Sequence, residues 1–154
     1  MALNILKNFE EINLHFQIES LKLAFADAKK YVADIKYMQT SIKEMLSKEY
    51  SKKRAKLISI NKTLQPKENI FSSGDTVYLA TADKDGNMVS FIQSNYTAFG
   101  SGIVIPKTGI ALHNRGANFL LDRKSDNFIA PRKKPYHTII PGFLCKDNKP
   151  IGAF

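Results

Sequence analysis

The stretch GDTVYLATADKDGNMVSFIQSNYTAFGSG, Gly74 to Gly102, sets the organisation of this 154-residue chain. β-Branched, aromatic and small residues from Val77 to Ala82, and again from Met88 to Ser94, are typical of two strands. The turn-forming residues DKDGN between them predict a hairpin. Thr76 therefore lies at the start of the first strand, and a glycine loop follows the second.

Upstream of this hairpin, an amphipathic helix is predicted from about Glu11 to Ala33. Its apolar residues recur at alternating spacings of four and three, on one stripe that we expect to pack against the core: Leu14, Ile18, Leu21, Phe25, Ala28 and Val32. Charged residues on the other faces, such as Lys22 and Asp27, are expected to face water. Ser47 can cap a second helix, Lys48 to Ile58.

The remaining segments complete an α+β pattern. Residues 60–74 are polar and irregular, which is typical of a linker. Further strands are predicted at residues 103–105, 109–113 and 138–144, with a second turn at residues 146–148. Helices followed by a run of strands predict an α+β fold.

The formal net charge of +9 raises nucleic acid or an anionic membrane surface as candidate partners. The basic residues form short clusters: Lys52, Lys53, Arg54 and Lys56 on a predicted helix, and Arg132, Lys133 and Lys134 in a loop. No aromatic residues alternate with them as a stacking platform. We therefore expect solvated basic faces and no nucleic-acid partner. No apolar run is long enough to span a membrane, so no membrane partner is expected either.

The single cysteine, Cys145, excludes an internal disulfide and is typical of a reducing compartment. The start MALNILKNFE lacks the features of a secretory signal, which favours a cytoplasmic location. The segment DKDGN resembles the start of a calcium loop, but Gly86 is out of position and Ser94 stands where glutamate is required. The loop Gly100 to Gly102 is too short for a dinucleotide site. No metal or cofactor is therefore expected.

Several motifs together resemble one family. A threonine opens a strand, and DKDGN, FGSGIV and GIALHNR follow; upstream lie SLKLAFADAKKYVAD and LSKEY. This order is similar to the processing region of the gamma-glutamyltranspeptidase (gamma-glutamyltransferase) family of N-terminal-nucleophile hydrolases. The resemblance implies part of an αββα sandwich. Residues 1–75 would correspond to the end of the large subunit, and residues 76–154 to the start of the small subunit.

The resemblance also implies chemistry for Thr76. Cleavage between Asp75 and Thr76 would free an α-amine with an ordinary pKa of about 7.7 to 8.0, beside the hydroxyl that it must deprotonate. One residue then supplies both nucleophile and base. Ser94 corresponds to the family's second hydroxyl, which supports the threonine.

A donor site follows from the same resemblance. Tyr96 stands where many members have a substrate-contacting asparagine, and Arg115 where a glutamine or glutamate is usual. Asn118 replaces an aspartate that binds the donor's α-amino group; His137 and Thr138 occupy the places of a serine pair near the donor carboxylate. Since Asn118 carries no charge, we expect glutaryl-like acyl groups to be preferred to gamma-glutamyl groups.

The resemblance implies that two parts of the family's site lie outside this sequence. These parts are the glycine pair that holds the oxyanion and an upstream arginine that clamps the donor carboxylate. We therefore expect the chain to require the remaining segments of the enzyme for activity. The alternative function is a non-catalytic fragment that acts as a basic interaction or binding module.

Overall fold

A computed structural model of the chain describes residues 1–65 and 76–154, which form two compact units. The helical unit comprises Met1–Ile70 and Phe119–Tyr136, and the strand unit comprises Phe71–Asn118 and His137–Phe154. Residues 119–136 thus group with the N-terminal helices although they follow the first strands in sequence. The expected boundary at residue 75 divides the subunits of a cleaved precursor and stays a prediction. Most of the predicted linker, its residues 66–74, lies outside the described residues.

The helical unit contains four helices: α1 (Ala2–Leu6), α2 (Leu14–Tyr31), α3 (Ile42–Met45) and α4 (Lys48–Ala55). Asn13 caps α2 by accepting a hydrogen bond from the backbone N–H of Phe16. α2 therefore begins later than the predicted Glu11. The predicted cap at Ser47 is confirmed, because its hydroxyl accepts from the N–H of Tyr50.

The face of α2 that packs against the core differs from the predicted stripe. Leu23 packs in the core with Ile5 and Ala55, and its buried neighbours on α2 are Glu19, Ser20, Ala24 and Asp27. Four residues of the stripe are exposed instead: Leu14, Ile18, Leu21 and Phe25. The stripe prediction was wrong, as was the expectation that Asp27 faces water. The spacing of apolar residues cannot show that Glu19 and Asp27, on the other face of α2, pair with charged residues.

Hydrogen bonds and ion pairs offset the cost of burying two carboxylates of α2, Glu19 and Asp27. Glu19 accepts hydrogen bonds from the Leu64 N–H and from Lys22, each at 2.7 Å. Asp27 pairs with Arg54 at 2.7 Å. Burial raises the pKa of Asp27, and the charge of Arg54 opposes that rise. Burial and the Asp27 hydrogen bond raise the pKa of Tyr50 to about 12. α2 and α4 are therefore joined through charge as well as apolar contact.

Residues 119–136 attach to the helices mainly through polar groups. The Asp126 carboxylate accepts from the backbone N–H of Gln39 at 3.0 Å and from its side-chain amide at 2.8 Å. The Asn127 amide donates to the Val32 carbonyl at 2.8 Å. Both Asp126 and Asn127 are buried, so these bonds satisfy the Asp126 carboxylate and the Asn127 amide nitrogen, which would otherwise be costly to bury.

The strand unit is built from two antiparallel pairs. β1 (Thr76–Ala82) pairs with β2 (Met88–Ser94), and β3 (Phe143–Lys146) pairs with β4 (Lys149–Ala153). The predicted hairpin and the turn at residues 147–148 are confirmed, as is the α+β class. The strands expected at residues 103–105 and 109–113 reduce to one bridge, Val104↔Ala111. The strand expected at residues 138–144 begins only at residue 143.

The hairpin turn is fixed by Asp83. Its carboxylate accepts from the side-chain amide of Asn87 at 2.7 Å and from the N–H groups of Asn87 and Asp85, each at 2.9 Å. The side-chain and backbone hydrogen bonds from Asn87 hold the pKa of Asp83 below its ordinary value. Gly86 adopts φ 84°, which glycine tolerates. The residues that resemble a calcium loop therefore bind one another in a turn.

The described residues contain neither a candidate membrane-spanning helix nor a candidate metal cluster. None of the helices in residues 1–65 and 76–154 has the length and apolar character needed to cross a membrane. In the same residues, no three His, Cys, Asp or Glu side chains lie where they could hold a metal ion. Cys145 is an exposed free thiol on β3.

Candidate active site

The candidate nucleophile Thr76 is the first residue of β1 and is exposed. In the antiparallel register it lies opposite Ser94, the last residue of β2, which is half-buried. The Ser94 hydroxyl accepts from the Tyr96 N–H at 2.9 Å, so its own hydrogen remains a donor. Directly opposed residues have Cβ atoms about 4.5 to 5.5 Å apart. Asp75, the other half of the expected cleavage site, lies outside the described residues.

Tyr96 connects this strand end to the next segment. Its hydroxyl donates to the Asn118 side-chain oxygen at 2.7 Å. Its backbone adopts φ 81°, a left-handed conformation that is rare for a bulky residue. Such strain persists where surrounding contacts hold it, and it clusters at functional sites.

Arg115 is the central cation of the cluster. It opens a short 3-10 helix, Arg115–Asn118, and is only 4% exposed. Its Nη1 donates to the Thr138 hydroxyl at 2.7 Å, and its guanidinium lies 5.3 Å from the centroid of the Tyr96 ring. Its Nη2 is buried and has no hydrogen-bond partner among residues 1–65 and 76–154. Arg115 thus has a donor to spare in a buried position.

The structure therefore brings together most of the residues predicted for the site. We name the contacting residues Ser94, Tyr96, Arg115, Asn118 and Thr138 the arginine cluster. His137 differs, because it is exposed and its Nδ1 lies 2.9 Å from the carbonyl oxygen of Ile139. A role for His137 at the donor site stays a prediction.

Sequence reasoning missed Asn114, which joins residues 95–97, after β2, to the segment that carries Arg115. Its backbone N–H donates to the Asn95 carbonyl at 3.2 Å. Its side-chain oxygen accepts from the Thr97 N–H at 3.2 Å, and its amide nitrogen donates to the Thr97 hydroxyl. The only available signal was the turn-forming character of an asparagine beside Arg115.

Gly100 allows the loop after β2 to approach the segment that precedes Arg115. It adopts φ 66°, and a Cβ there would lie 2.6 Å from the Leu112 carbonyl oxygen. The same carbonyl accepts from the Ser101 N–H at 2.9 Å and from its hydroxyl at 2.8 Å. A side chain at position 100 would therefore displace the backbone that leads to the cluster.

Comparison with known proteins identifies the family of the chain. All of residues 1–154 match the sequence profile of the gamma-glutamyltranspeptidase family. The chain belongs to that family. The glutathione hydrolase-like YwrD proenzyme of Bacillus subtilis (strain 168) is 37% identical over 97% of this chain and 30% of its own length. The oxamate amidohydrolase proenzyme of Klebsiella pneumoniae is 38% identical over 83% of this chain and 24% of its own length.

A solved structure agrees with this family assignment. The cephalosporin acylase from Bacillus halodurans is 51% identical, with a TM-score of 0.84 over 99% of this chain and 28% of its own. The match confirms the resemblance to the gamma-glutamyltranspeptidase family and its N-terminal-nucleophile hydrolase fold. The chain spans less than a third of the length of each of these three proteins.

Proposed function

We propose that this chain carries the nucleophile and part of the acyl-binding site of a gamma-glutamyltransferase-like amide hydrolase or acyltransferase. The observation that carries the proposal is the register of β1 and β2, which sets Thr76 opposite Ser94, and Ser94 is bonded to Tyr96 of the arginine cluster. The names of two relatives, both proenzymes, support activation by cleavage.

Processing would start with the Thr76 hydroxyl. Its Oγ1 attacks the carbonyl carbon of Asp75, and the peptide C–N bond breaks as an ester forms. The leaving nitrogen takes a proton and becomes the free α-amine of Thr76. Water then hydrolyses the ester, which leaves a carboxylate on Asp75 and restores the hydroxyl.

Turnover would use the same hydroxyl. The α-amine takes the Oγ1 proton as Oγ1 attacks the substrate amide, and it returns that proton to the leaving amine. The resulting acyl ester is then attacked by water or by an acceptor amine, which releases the acyl group and restores Thr76. The Ser94 hydroxyl, already an acceptor from Tyr96, would orient Oγ1 by donating its hydrogen.

The acyl part of the substrate would occupy the arginine cluster. Tyr96, Arg115, Asn118 and Thr138 line the proposed donor site, with His137 next to Thr138 in sequence. Asn118 offers no negative charge to an α-ammonium group. The proposal therefore favours glutaryl-like amides over gamma-glutamyl amides.

The remaining segments of the enzyme are the proposed protein partner. Every residue of β1 is exposed, including Val77, Tyr78 and Leu79. An isolated two-stranded hairpin is at best marginally stable, and an exposed apolar strand invites pairing. Those segments would cover the hairpin and supply the oxyanion glycines and the carboxylate-clamping arginine. We also propose a cytoplasmic location, which fits the exposed free thiol of Cys145.

A chimera tests the catalytic proposal. This chain replaces the matching segment of the Bacillus halodurans cephalosporin acylase, and processing is followed by intact mass. We expect two fragments that meet between Asp75 and Thr76, and hydrolysis of a glutaryl anilide. The Thr76→Ala variant should remain one polypeptide and be inactive.

Thr81→Ala is the matched control, because Thr81 lies on the same strand and is also exposed. It should be processed like the parent. A Thr76→Ala chimera that is still cleaved at this bond, or a folded parent chimera that is never cleaved, contradicts the proposal.

The second candidate function, a basic binding module, is favoured by the net charge of +9. It predicts that the chain alone stays uncleaved and is retained on a polyanion until salt is raised. Elution from heparin at a salt concentration no higher than that for a control protein of equal net charge contradicts this alternative.

A further inference from the structure

We propose that Ser90 is a positioning residue for Thr76, because its hydroxyl joins the hairpin that carries Thr76 to the residue that ends β4. Ser90 acts through the hairpin and not on the substrate. Its role is to keep Thr76 in the geometry that attack on a carbonyl carbon requires. This inference rests on the proposed function, in which Thr76 is the attacking group.

Ser90 lies on the same face of the β1–β2 hairpin as Thr76. The register sets Ala80 opposite Ser90 and Thr76 opposite Ser94. Directly opposed residues project to the same side of a sheet, and side chains alternate along each strand. Ser90 and Ser94, four residues apart on β2, therefore share the face of Thr76. The β2 residues of this face are half-buried, whereas those of the other face are exposed.

The hydroxyl of Ser90 takes part in two hydrogen bonds. It donates to the main-chain oxygen of Phe154 at 2.8 Å, and the Tyr78 hydroxyl oxygen lies 3.2 Å from Ser90 Oγ. Since a serine hydroxyl has one hydrogen and the Phe154 oxygen can only accept, Tyr78 is the donor to Ser90. The bonds therefore run in one direction, from Tyr78 on β1 through Ser90 on β2 to Phe154 after β4.

Phe154 is in turn fixed by Gly142, which precedes β3. The Gly142 N–H donates to the Phe154 oxygen at 2.7 Å, and the Phe154 N–H donates to the Gly142 oxygen at 2.9 Å. The Phe154 ring lies against Gly142, where a Cβ would lie 2.9 Å from a ring carbon. The β3–β4 pair therefore ends in two reciprocal bonds, and Ser90 attaches the hairpin to that end.

Tyr78 brings this attachment close to the nucleophile. It is two residues from Thr76 on the same strand and the same face, about 7 Å along the strand. A two-stranded hairpin alone is marginally stable, so the place of Thr76 relative to Ser94 depends on what holds the hairpin. A reacting group that moves by about 1 Å can lose about a hundredfold in rate. A hydroxyl that ties both strands to the end of β4 can therefore set the reaction rate.

Nuclear magnetic resonance of this chain tests the positioning without any cleavage. The parent should show a cross-strand nuclear Overhauser effect between protons of Thr76 and Ser94. In Ser90→Ala this effect should weaken, and the amides of Gly142 and Phe154 should exchange about fivefold to tenfold faster, because a hydrogen bond to Phe154 is lost. Ser90→Thr keeps the hydroxyl and should restore both signals.

The acylase chimera tests the consequence for the reaction. In Ser90→Ala, cleavage between Asp75 and Thr76 should be about fivefold to tenfold slower per folded protein, as followed by intact mass and circular dichroism. The kcat for glutaryl anilide should fall by a similar factor with KM unchanged, because Ser90 acts on the attacking group and not on substrate binding. Ser90→Thr should recover the parent rates.

Thr108→Ala is the matched control. The Thr108 hydroxyl donates to the Ile105 main-chain oxygen at 2.9 Å in the same unit, so the variant loses a bond of the same kind away from the hairpin. It should leave the Thr76–Ser94 contact and both rates unchanged. Tyr78→Phe removes the first bond alone and should slow cleavage less than Ser90→Ala does.

The outcomes separate this inference from the proposed function. If the folded parent chimera is never cleaved but the Thr76–Ser94 contact depends on Ser90, the Thr76 chemistry fails and the positioning contact stands. An unchanged contact in folded Ser90→Ala overturns the inference, as does its absence from the parent chain. Parent rates in a folded Ser90→Ala chimera, or no recovery in Ser90→Thr, also overturn it. Where Ser90→Ala does not fold, parent rates in Tyr78→Phe have the same meaning.

Discussion

The helical unit and the strand unit bury different kinds of residue. Among the described residues, all the buried apolar side chains lie in the helical unit: Ile5, Leu23, Ala24, Met45 and Ala55. In the described part of the strand unit, the one buried residue is Arg115. The first unit therefore has a small apolar core of its own, whereas the second has no buried apolar side chain among its described residues.

Buried charges also differ in how they are paired. In the helical unit, Glu19 and Asp27 each have a cation within 2.7 Å, while the buried Asp126 carboxylate accepts two hydrogen bonds from Gln39. Arg115 has only the Thr138 hydroxyl and the Tyr96 ring within the described chain. Burial of Glu19 and Asp27 is thus offset by a counter-ion, whereas burial of Arg115 is offset, among the described residues, only by a hydroxyl and an aromatic ring.

The largest expected effect is loss of the paired charge in the helical unit. Arg54→Ala leaves Asp27 buried without its cation and should lower the free energy of unfolding by about 3 to 5 kcal/mol. Urea denaturation followed by circular dichroism measures this change. Lys53→Ala, at an exposed position on the same helix, should change it by less than about 0.5 kcal/mol. Similar losses of unfolding free energy for Arg54→Ala and Lys53→Ala would contradict this expectation.

Two Leu→Ala substitutions, one in each unit, compare how much buried apolar side chains stabilise the helical unit and the strand unit. Leu23→Ala removes a core side chain that is 5% exposed and should lower the free energy of unfolding by about 2 to 5 kcal/mol. Leu79→Ala removes a β1 side chain that is 52% exposed and should have an effect below about 1 kcal/mol. Hydrogen exchange of helix and strand amides measures both. An effect at Leu79 as large as that at Leu23 would mean that the hairpin has a core after all.

The stability of the helical unit should depend on pH through Glu19. Burial alone would raise its pKa, but the hydrogen bonds from Lys22 and the Leu64 N–H, with the Lys22 charge, lower it below the ordinary 4.5. Since the folded pKa is the lower one, the stabilisation is present above pH 4.5 and is lost as pH falls through the folded value.

Glu19→Gln measures this contribution. At neutral pH the variant should be less stable by about 1 to 3 kcal/mol, because a charged acceptor of two hydrogen bonds is lost. The difference from the parent should shrink in acid, as followed by urea denaturation from pH 7 to pH 3. A constant difference across that range contradicts the assignment.

A much smaller effect on stability than that of Arg54→Ala is expected at Arg115. Arg115→Met removes an unpaired buried charge and replaces it with an apolar side chain of similar length. Hydrogen exchange of β1 and β2 amides should therefore shift by less than about 1 kcal/mol. A loss comparable to that of Arg54→Ala would indicate a structural ion pair and would end the contrast between the units.

Much of the strand unit was predictable from residues that are neighbours in the chain. The β-branched, aromatic and small residues and the DKDGN turn predicted β1, β2 and their pairing, because a hairpin is encoded by neighbouring residues. The Ser47 cap could be predicted for the same reason, because a helix cap is also formed by residues close in sequence. The family motifs also named four residues that the structure brings into contact: Tyr96, Arg115, Asn118 and Thr138. The fold class and most of the candidate site were therefore predictable.

Which groups are buried could not be predicted in this way, because burial depends on contacts between residues that are distant in the chain. Periodicity placed Leu21 and Phe25 of α2 in the core, yet the structure buries Glu19 and Asp27, because Lys22, Leu64 and Arg54 satisfy them. Those partners lie three to forty-five residues away along the chain, and helical spacing carries no information about the distant ones. Likewise, the sequence supplied Arg115 as a site residue, but its burial and its spare donor depend on how Tyr96 and Thr138 meet it in space.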